Sequence, residues 1–116
     1  MIKVEKQSVF RGEVWLVDFG EEGVGSEQKG RRPAVIIQNN IGNKHSPTII
    51  VALITGQEKA NHLPTHMPVK LVKPSVIMCE QIKTIDKSRL LKYMYSLNRT
   101  ELDTLKFKLS MSMCID

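Results

Sequence analysis

Two short β-branched runs constrain this chain more than anything else in it: PAVIIQ at 33–38 and TIIVALIT at 48–55, each bounded by turn residues. Val and Ile lose side-chain freedom in a helix and fit a pleated surface well. Continuous apolar runs this short, without polar alternation, read as strands buried on both faces. Two further strands follow from pattern. Gly12–Phe19 (GEVWLVDF) approaches strict alternation. Ser75–Ile85 (SVIMCEQIKTI) places Val76, Met78, Glu80, Ile82 and Thr84 on one face, with Ile77, Cys79, Gln81, Lys83 and Ile85 on the other. Shorter strands are expected at Met67–Leu71 and Tyr93–Leu97.

Turn chemistry separates these runs. The segment 20–30 carries four of the seven glycines, Asn39-Asn40-Ile41-Gly42-Asn43 is a turn cluster, and Pro64, Pro68 and Pro74 punctuate the middle of the chain. Only the C-terminus reads as a helix. Asn98 with Glu101 three residues on forms a capping-box signal, and Leu102, Leu105, Leu109 and Met113 follow at near-helical spacing. Many short strands followed by one helix predict a mainly β (α+β) domain: a small barrel or curled sheet with a helix packed on it.

At 116 residues the chain is expected to be one domain, long enough for a core without disulfide staples. No apolar run approaches the ~20 residues of a membrane helix. The N-terminal MIKVEKQSVFRGE lacks a hydrophobic signal segment, and two cysteines make no disulfide framework, so a reducing cytoplasm is expected. Both Cys79 and Cys114 are expected as small buried hydrophobes. The formal net charge is +5, concentrated in the second half of the chain. Such a surface suits a phosphate backbone or an acidic protein partner, or is a plain solubility excess.

Several sites fail on inspection. Residues 25–32 look superficially like a phosphate loop, but the Lys-Ser/Thr ending is missing and Pro33 opens a strand where that motif needs a helix. His62 and His66 have metal-like spacing, yet Pro64 between them prevents the helix that would align their rings, so both are expected to be solvated loop residues. No Ser–His–Asp arrangement has a recognisable local context.

The motifs carry the reading further. Arg11-Gly-Glu-Val-Trp15, Gly25-Ser-Glu-Gln-x-Gly-x-Arg-Pro33, Val35-Ile-Ile-Gln-Asn39, Ser46-Pro-Thr48, Val51-Ala-x-Ile-Thr55, Leu63-Pro-Thr-His66 and Glu80-Gln-Ile-x-Thr-Ile-Asp86 occur in order. Together, over about residues 10–116, they resemble the MazF/PemK family of toxin ribonucleases. The resemblance implies an SH3-like (MazF/PemK/CcdB-like) β-barrel, a homodimer, cleavage of single-stranded RNA without a metal ion or other cofactor, and a small acidic antitoxin seated in the RNA groove. It implies a catalytic pair at Arg32 and Thr55, and RNA contacts from Ser26, Glu27 and Gln28. Candidate RNA contacts also include Arg11, Glu80 and Gln81. Alternation puts Glu80 and Gln81 on opposite strand faces, where each reads a base edge or else satisfies a buried group or water. Trp15 and Phe19 are expected in the core.

On this reading residues 1–9 form an extension, 20–31 a mobile loop and 98–115 the helix. The segment FGEEGV at 19–24 lacks the proline common in the family and is one residue longer. The stretch Met67–Pro74 is several residues shorter, which is expected to trim a peripheral hairpin and affect base preference more than chemistry. Two alternatives share the fold: a toxin that poisons DNA gyrase without cleaving, and a non-catalytic RNA-binding barrel.

Overall fold

A computed structural model describes residues 8–21, 29–57 and 62–115. The elements run β1 (Glu13–Asp18), β2 (Arg31–Ile36), α1 (Asn40–His45), β3 (Thr48–Gly56), β4 (His66–Lys70), β5 (Pro74–Asp86), a single 3₁₀ turn (Lys87–Arg89), β6 (Leu90–Ser96) and α2 (Arg99–Met113). The six strands form one antiparallel sheet in the order β4-β5-β3-β2-β1-β6. It is a curled sheet, a half-barrel, carrying a C-terminal helix.

Both faces of the sheet are apolar, as the uninterrupted Ile/Val runs require. One face gathers Trp15, Val17, Phe19, Ala34, Ile36, Ile49, Val51, Leu53, Val76, Met78 and Ile85. Among the described residues no helix residue joins that cluster; Val9, ahead of β1, and Leu90, at the start of β6, complete it. The other face gathers Val14, Val35, Ala52, Ile54, Met67, Val69, Ile77 and Cys79 under α2, with Leu105 fully buried and Leu102 and Leu109 packed against it. Burying a leucine-sized side chain contributes roughly 1.5–3 kcal/mol, so this stripe fixes the helix on the sheet. Two polar contacts pin the C-terminal half of α2: Ser112 Oγ donates to the Cys79 carbonyl at 2.9 Å, and Lys108 Nζ donates to the Pro64 carbonyl at 2.7 Å. The capping box forms in both directions between Asn98 and Glu101.

The sheet is bent by a bulge in β5. Leu53 pairs with Met78 while its neighbour Ala52 pairs with Ile82, so Cys79, Glu80 and Gln81 have no counterpart on β3. An odd number of extra residues reverses the alternation. Val76 and Met78 face the first cluster before the bulge, and Ile85 faces it afterwards. Lys83 lies on the same side, its Nζ 5.5 Å from the centre of the Phe19 ring. The expected grouping of Val76 and Met78 with Ile82 and Thr84 is therefore wrong beyond Met78.

Three other expectations are corrected. The Asn39–Asn43 turn cluster is a one-and-a-half-turn helix, capped by Asn39 Oδ1 accepting from Gly42 N at 2.8 Å. His66 is not a solvated loop residue: its side chain is 9% exposed and it opens β4. Cys114 is exposed, in left-handed conformation just past α2, while Cys79 is buried and its thiol is pushed up to about 11 by burial, with Glu80 adding to the rise. Trp15 and Phe19 are in the core. The base of the 20–31 segment is fastened by Phe19 N–H to the Gly30 carbonyl (2.9 Å) and Gly30 N–H to the Gly20 carbonyl (2.6 Å). Among the described residues, no helix is long and apolar enough to cross a membrane.

Candidate active site

A cleft opens where two central strands part. The β2–β3 ladder contains only Ala34↔Leu53, Val35↔Ala52 and Ile36↔Val51. Pro33 comes next, and proline has no amide hydrogen to extend a ladder. Beyond it β2 stays paired with β1, through Asp18↔Arg31, while β3 stays paired with β5, through Gly56↔Ser75. Continuing the β2–β3 register by two positions sets Arg32 against Thr55, at the point where that ladder has ended.

The resulting cleft, about 170 Å³, is lined by Arg31, Arg32, Pro33, Ile54, Thr55, Gly56, Lys73 and Ser75. Among the described residues of this lining, three are cationic, two carry hydroxyls and none is a carboxylate. Arg32 is exposed, with Nε donating to the Lys29 carbonyl at 3.3 Å, and Thr55 is half-buried at the end of β3. A guanidinium fork beside hydroxyls is chemistry for an anion with several oxygens.

The sequence reading named neither Arg31 nor Ser75 as a cleft residue, and counted Lys73 only among the six cations of residues 70–92 (with Lys70, Lys83, Lys87, Arg89 and Lys92) that could line an RNA groove. Lys73 arrives from the β4–β5 turn, within the stretch expected to be a trimmed periphery, and Ser75 from the start of β5. The turn is instead a wall of the cleft.

The other candidates lie elsewhere. Ser26, Glu27 and Gln28 fall outside the described residues. The structure does not bring Arg11 to the cleft: its guanidinium donates to the Ile37 carbonyl, and its backbone N–H donates to Asn40 Oδ1 at 2.7 Å. The next residue, Gly12, is bonded to Ile36, four residues and roughly 13 Å along β2 from Arg32. Arg11 fastens the end of β2 to the start of α1.

Glu80 sits in the β5 bulge. It accepts from Thr65 Oγ1 at 2.8 Å, and its other oxygen lies 3.1 Å from His66 Nε2. Burial raises its carboxyl, but hydrogen bonds from Thr65, its own backbone and His66 outweigh that and hold it below the ordinary value. His66 Nδ1 is buried with no hydrogen-bond partner among the described residues. Gln81 is half-buried beside Glu80 within the same bulge, so simple strand alternation does not set their directions. Among the described residues, no three His, Cys, Asp or Glu side chains come together as a metal site would require.

The chain is thus a small half-barrel with one C-terminal helix and a cationic cleft at a strand fork. Comparison makes this specific. The model of the PemK-like, MazF-like toxins of type II toxin-antitoxin systems matches residues 10–113. A relative from Staphylococcus saprophyticus, named endoribonuclease MazF, is 54% identical over 85 residues, covering 69% of this chain and 70% of the relative. Among solved structures, a mycobacterial endoribonuclease in complex with its cognate antitoxin superposes with a TM-score of 0.78 at 19% identity, over 93% of this chain and 97% of that one. MazF from Deinococcus radiodurans gives a TM-score of 0.77 at 20% identity, over 94% and 99%. At such identities these two structures speak for the fold alone. The chain belongs to the PemK-like, MazF-like toxin family.

Proposed function

We propose that the fork between β2 and β3 is the catalytic centre of an endoribonuclease toxin that cleaves single-stranded RNA by attack of the 2′-hydroxyl on its own phosphodiester, without a metal ion. The O2′–P bond forms, the P–O5′ bond breaks, one proton leaves the 2′-hydroxyl and one reaches the departing 5′-oxygen. The products are a cyclic phosphate and a 5′-hydroxyl end.

RNA brings its own nucleophile, so alignment and charge stabilisation supply most of the rate enhancement. Arg32 stays charged at every working pH, which suits it to hold the non-bridging oxygens as charge accumulates and to donate toward the leaving oxygen. It is a poor base. The Thr55 hydroxyl donates to a non-bridging oxygen and fixes the phosphate. Ser26, Glu27 and Gln28 are assigned to the RNA through family resemblance, with Glu27 as a proton acceptor. Glu80 and Gln81 are assigned to base edges. Thr65 and His66 engage two of the roughly four lone-pair directions of the Glu80 carboxylate, which leaves acceptors for a base amino group.

The observation that carries this reading is the convergence of Arg32 and Thr55 on one cationic cleft. The 54% identity to a named endoribonuclease supports the activity. The antitoxin complex of the mycobacterial neighbour supports an antitoxin partner, to which a chain of net charge +5 presents the complementary sign when that partner is acidic. A homodimer fits the exposed apolar end of α2. Gyrase poisoning is the weaker reading, since it has no use for a guanidinium and hydroxyl converging on a phosphate-sized cleft.

The test is incubation with a long single-stranded RNA in EDTA. Fragments with 5′-hydroxyl ends are expected. Arg32→Ala is expected to lower cleavage by a factor on the order of 10² to 10³. Its melting temperature should hardly move, because exposed substitutions usually cost within ~0.5 kcal/mol. Normal cleavage by Arg32→Ala overturns the assignment.

A further inference from the structure

We infer that Thr65 and His66 are positioning residues for base recognition: together they hold the Glu80 carboxylate in one orientation toward an RNA base that carries an amino group. The inference rests on the reading of this chain as an endoribonuclease with Glu80 at a base edge. It adds two residues that neither the catalytic pair nor the base contacts include.

Three observations support it. First, the two donors are matched one to each oxygen. Thr65 Oγ1 donates to Glu80 Oε1 at 2.8 Å, and His66 Nε2 lies 3.1 Å from Oε2. Burial raises the carboxyl, but these bonds and one from the backbone hold it below its ordinary value, so it is ionised at neutral pH. An ionised carboxylate only accepts, so His66 carries a proton on Nε2 in this pair. Donors on both oxygens set the plane of the carboxylate, a torsion that is otherwise broad in glutamate. The side chain of Glu80 is 28% exposed and that of His66 9%, so the carboxylate is open to a ligand while the ring behind it is not.

Second, the fold fastens both sides of this contact. The Cys79 N–H donates to the Thr65 carbonyl at 3.3 Å, and the His66 N–H closes a turn onto the Leu63 carbonyl at 3.0 Å. α2 then grips the residue before each partner, through Lys108 Nζ to the Pro64 carbonyl and Ser112 Oγ to the Cys79 carbonyl. Thr65 and Glu80 are thus tied to each other and to about one turn of the same helix. Locking of this kind is what a geometrically selective contact requires.

Third, the pair lies on the side of the sheet that carries the cleft. His66 pairs with Met78, and Met78 with Leu53, two residues before Thr55. Cross-strand partners share a face, so His66 is on the face of Thr55. Glu80 is four residues beyond Val76, the partner of Thr55, or roughly 13 Å along β5. That spacing is too long for contact with the scissile phosphate and suits the base of a nucleotide further along the strand. An acceptor-only group there selects by what the base donates. Adenine, cytosine and guanine each offer an amino N–H, and uracil carries no amino group.

The experiment maps the cleavage sites of the wild type, Glu80→Gln, Thr65→Val, Thr65→Ser and His66→Leu on a long single-stranded RNA in EDTA. At the position whose preference Glu80→Gln alters, kcat/KM is then measured on two oligonucleotides that differ only in the amino group of that base. The wild type is expected to favour the amino-bearing substrate by roughly ten- to a hundredfold, the worth of a hydrogen bond to a charged group. Thr65→Val and His66→Leu should each lower that ratio several-fold, and Thr65→Ser, which keeps the hydroxyl, should restore it. If His66→Leu does not fold, the two Thr65 variants decide. A variant that slows both substrates equally and leaves the ratio intact marks a merely structural residue and overturns the inference. So does a ratio that changes in Glu80→Gln alone, because Glu80 then reads the base unaided. Unchanged preferences in Glu80→Gln remove the inference and leave the cleavage reading standing. A wild type that does not cleave removes both.

Discussion

At Glu80 two opposing effects act on one carboxyl. Partial burial disfavours its charge, while Thr65 Oγ1, the backbone and His66 favour it, and the net result is a carboxyl below its ordinary value of 4.5. The folded chain therefore binds fewer protons here than the unfolded chain once pH falls into the carboxylate range. The stability this group provides is complete above the unfolded value and is lost as pH drops through the folded one. In urea titrations, the midpoint of the wild-type chain should fall below about pH 4.5, and Glu80→Gln should flatten that limb by removing the group that titrates. An unchanged acid limb in Glu80→Gln would show that the Thr65–Glu80–His66 contacts contribute nothing to folding. His66 shows how a motif can mislead. Its spacing from His62 suggested a metal and Pro64 argued for a solvated loop, but the ring is buried against a carboxylate fourteen residues on. That partner depends on the β4–β5 pairing, which sequence distance does not reveal.

Elements were legible where a single period ran through them. The two Ile/Val runs are β2 and β3, and the Asn98–Glu101 signal begins α2 at the residue expected. Asn98→Ala should cost about 1 kcal/mol, since it removes the acceptor for Glu101 N–H and half of the box. For a domain of this size a melting temperature lower by roughly 4 °C is expected by calorimetry. Elements were illegible where pairing, not period, decides. The bulge in β5 interrupts alternation without a glycine or proline to announce it. The fork that makes the cleft is local only in Pro33; its other wall needs β3 to stay paired with β5 after it has parted from β2, and that is a fact about three strands. For the same reason Arg32 and Thr55 came from motif resemblance, while Lys73 and Ser75, which no motif named, came from the β4–β5 turn and the start of β5. Arg11 had motif support, yet its guanidinium bonds a backbone carbonyl at the far end of β2.

For the molecule as a whole, the outward side of α2 stands out. Phe107 is 63% exposed, and Met111 and Ile115 continue the apolar surface beside it. Contiguous exposed apolar area of this kind marks an interaction surface more often than free solvent contact. Assigned to a second copy of the chain, it predicts a dimer in sedimentation equilibrium at micromolar concentration and a monomer for Phe107→Glu, with the far-UV circular dichroism unchanged. A wild-type monomer would overturn the assignment. Fold class was readable at this scale because many short strands and one amphipathic helix leave few ways to bury both sheet faces. The apolar stripe of α2 was readable too, but which part covers the sheet and which stays uncovered follows from where β4 and β5 lie beneath it.

The β5 bulge carries a consequence for how such a chain tolerates variation. Because Cys79–Gln81 shift the phase of everything downstream, gaining or losing one residue between Met78 and Ile82 would swap the inward and outward sets, expelling Ile85 and turning Thr84 toward the hydrophobic interior. Spacing at that spot is thus constrained more tightly than residue identity. Libraries that vary the residues around Glu80 should therefore diversify side chains and keep the register untouched.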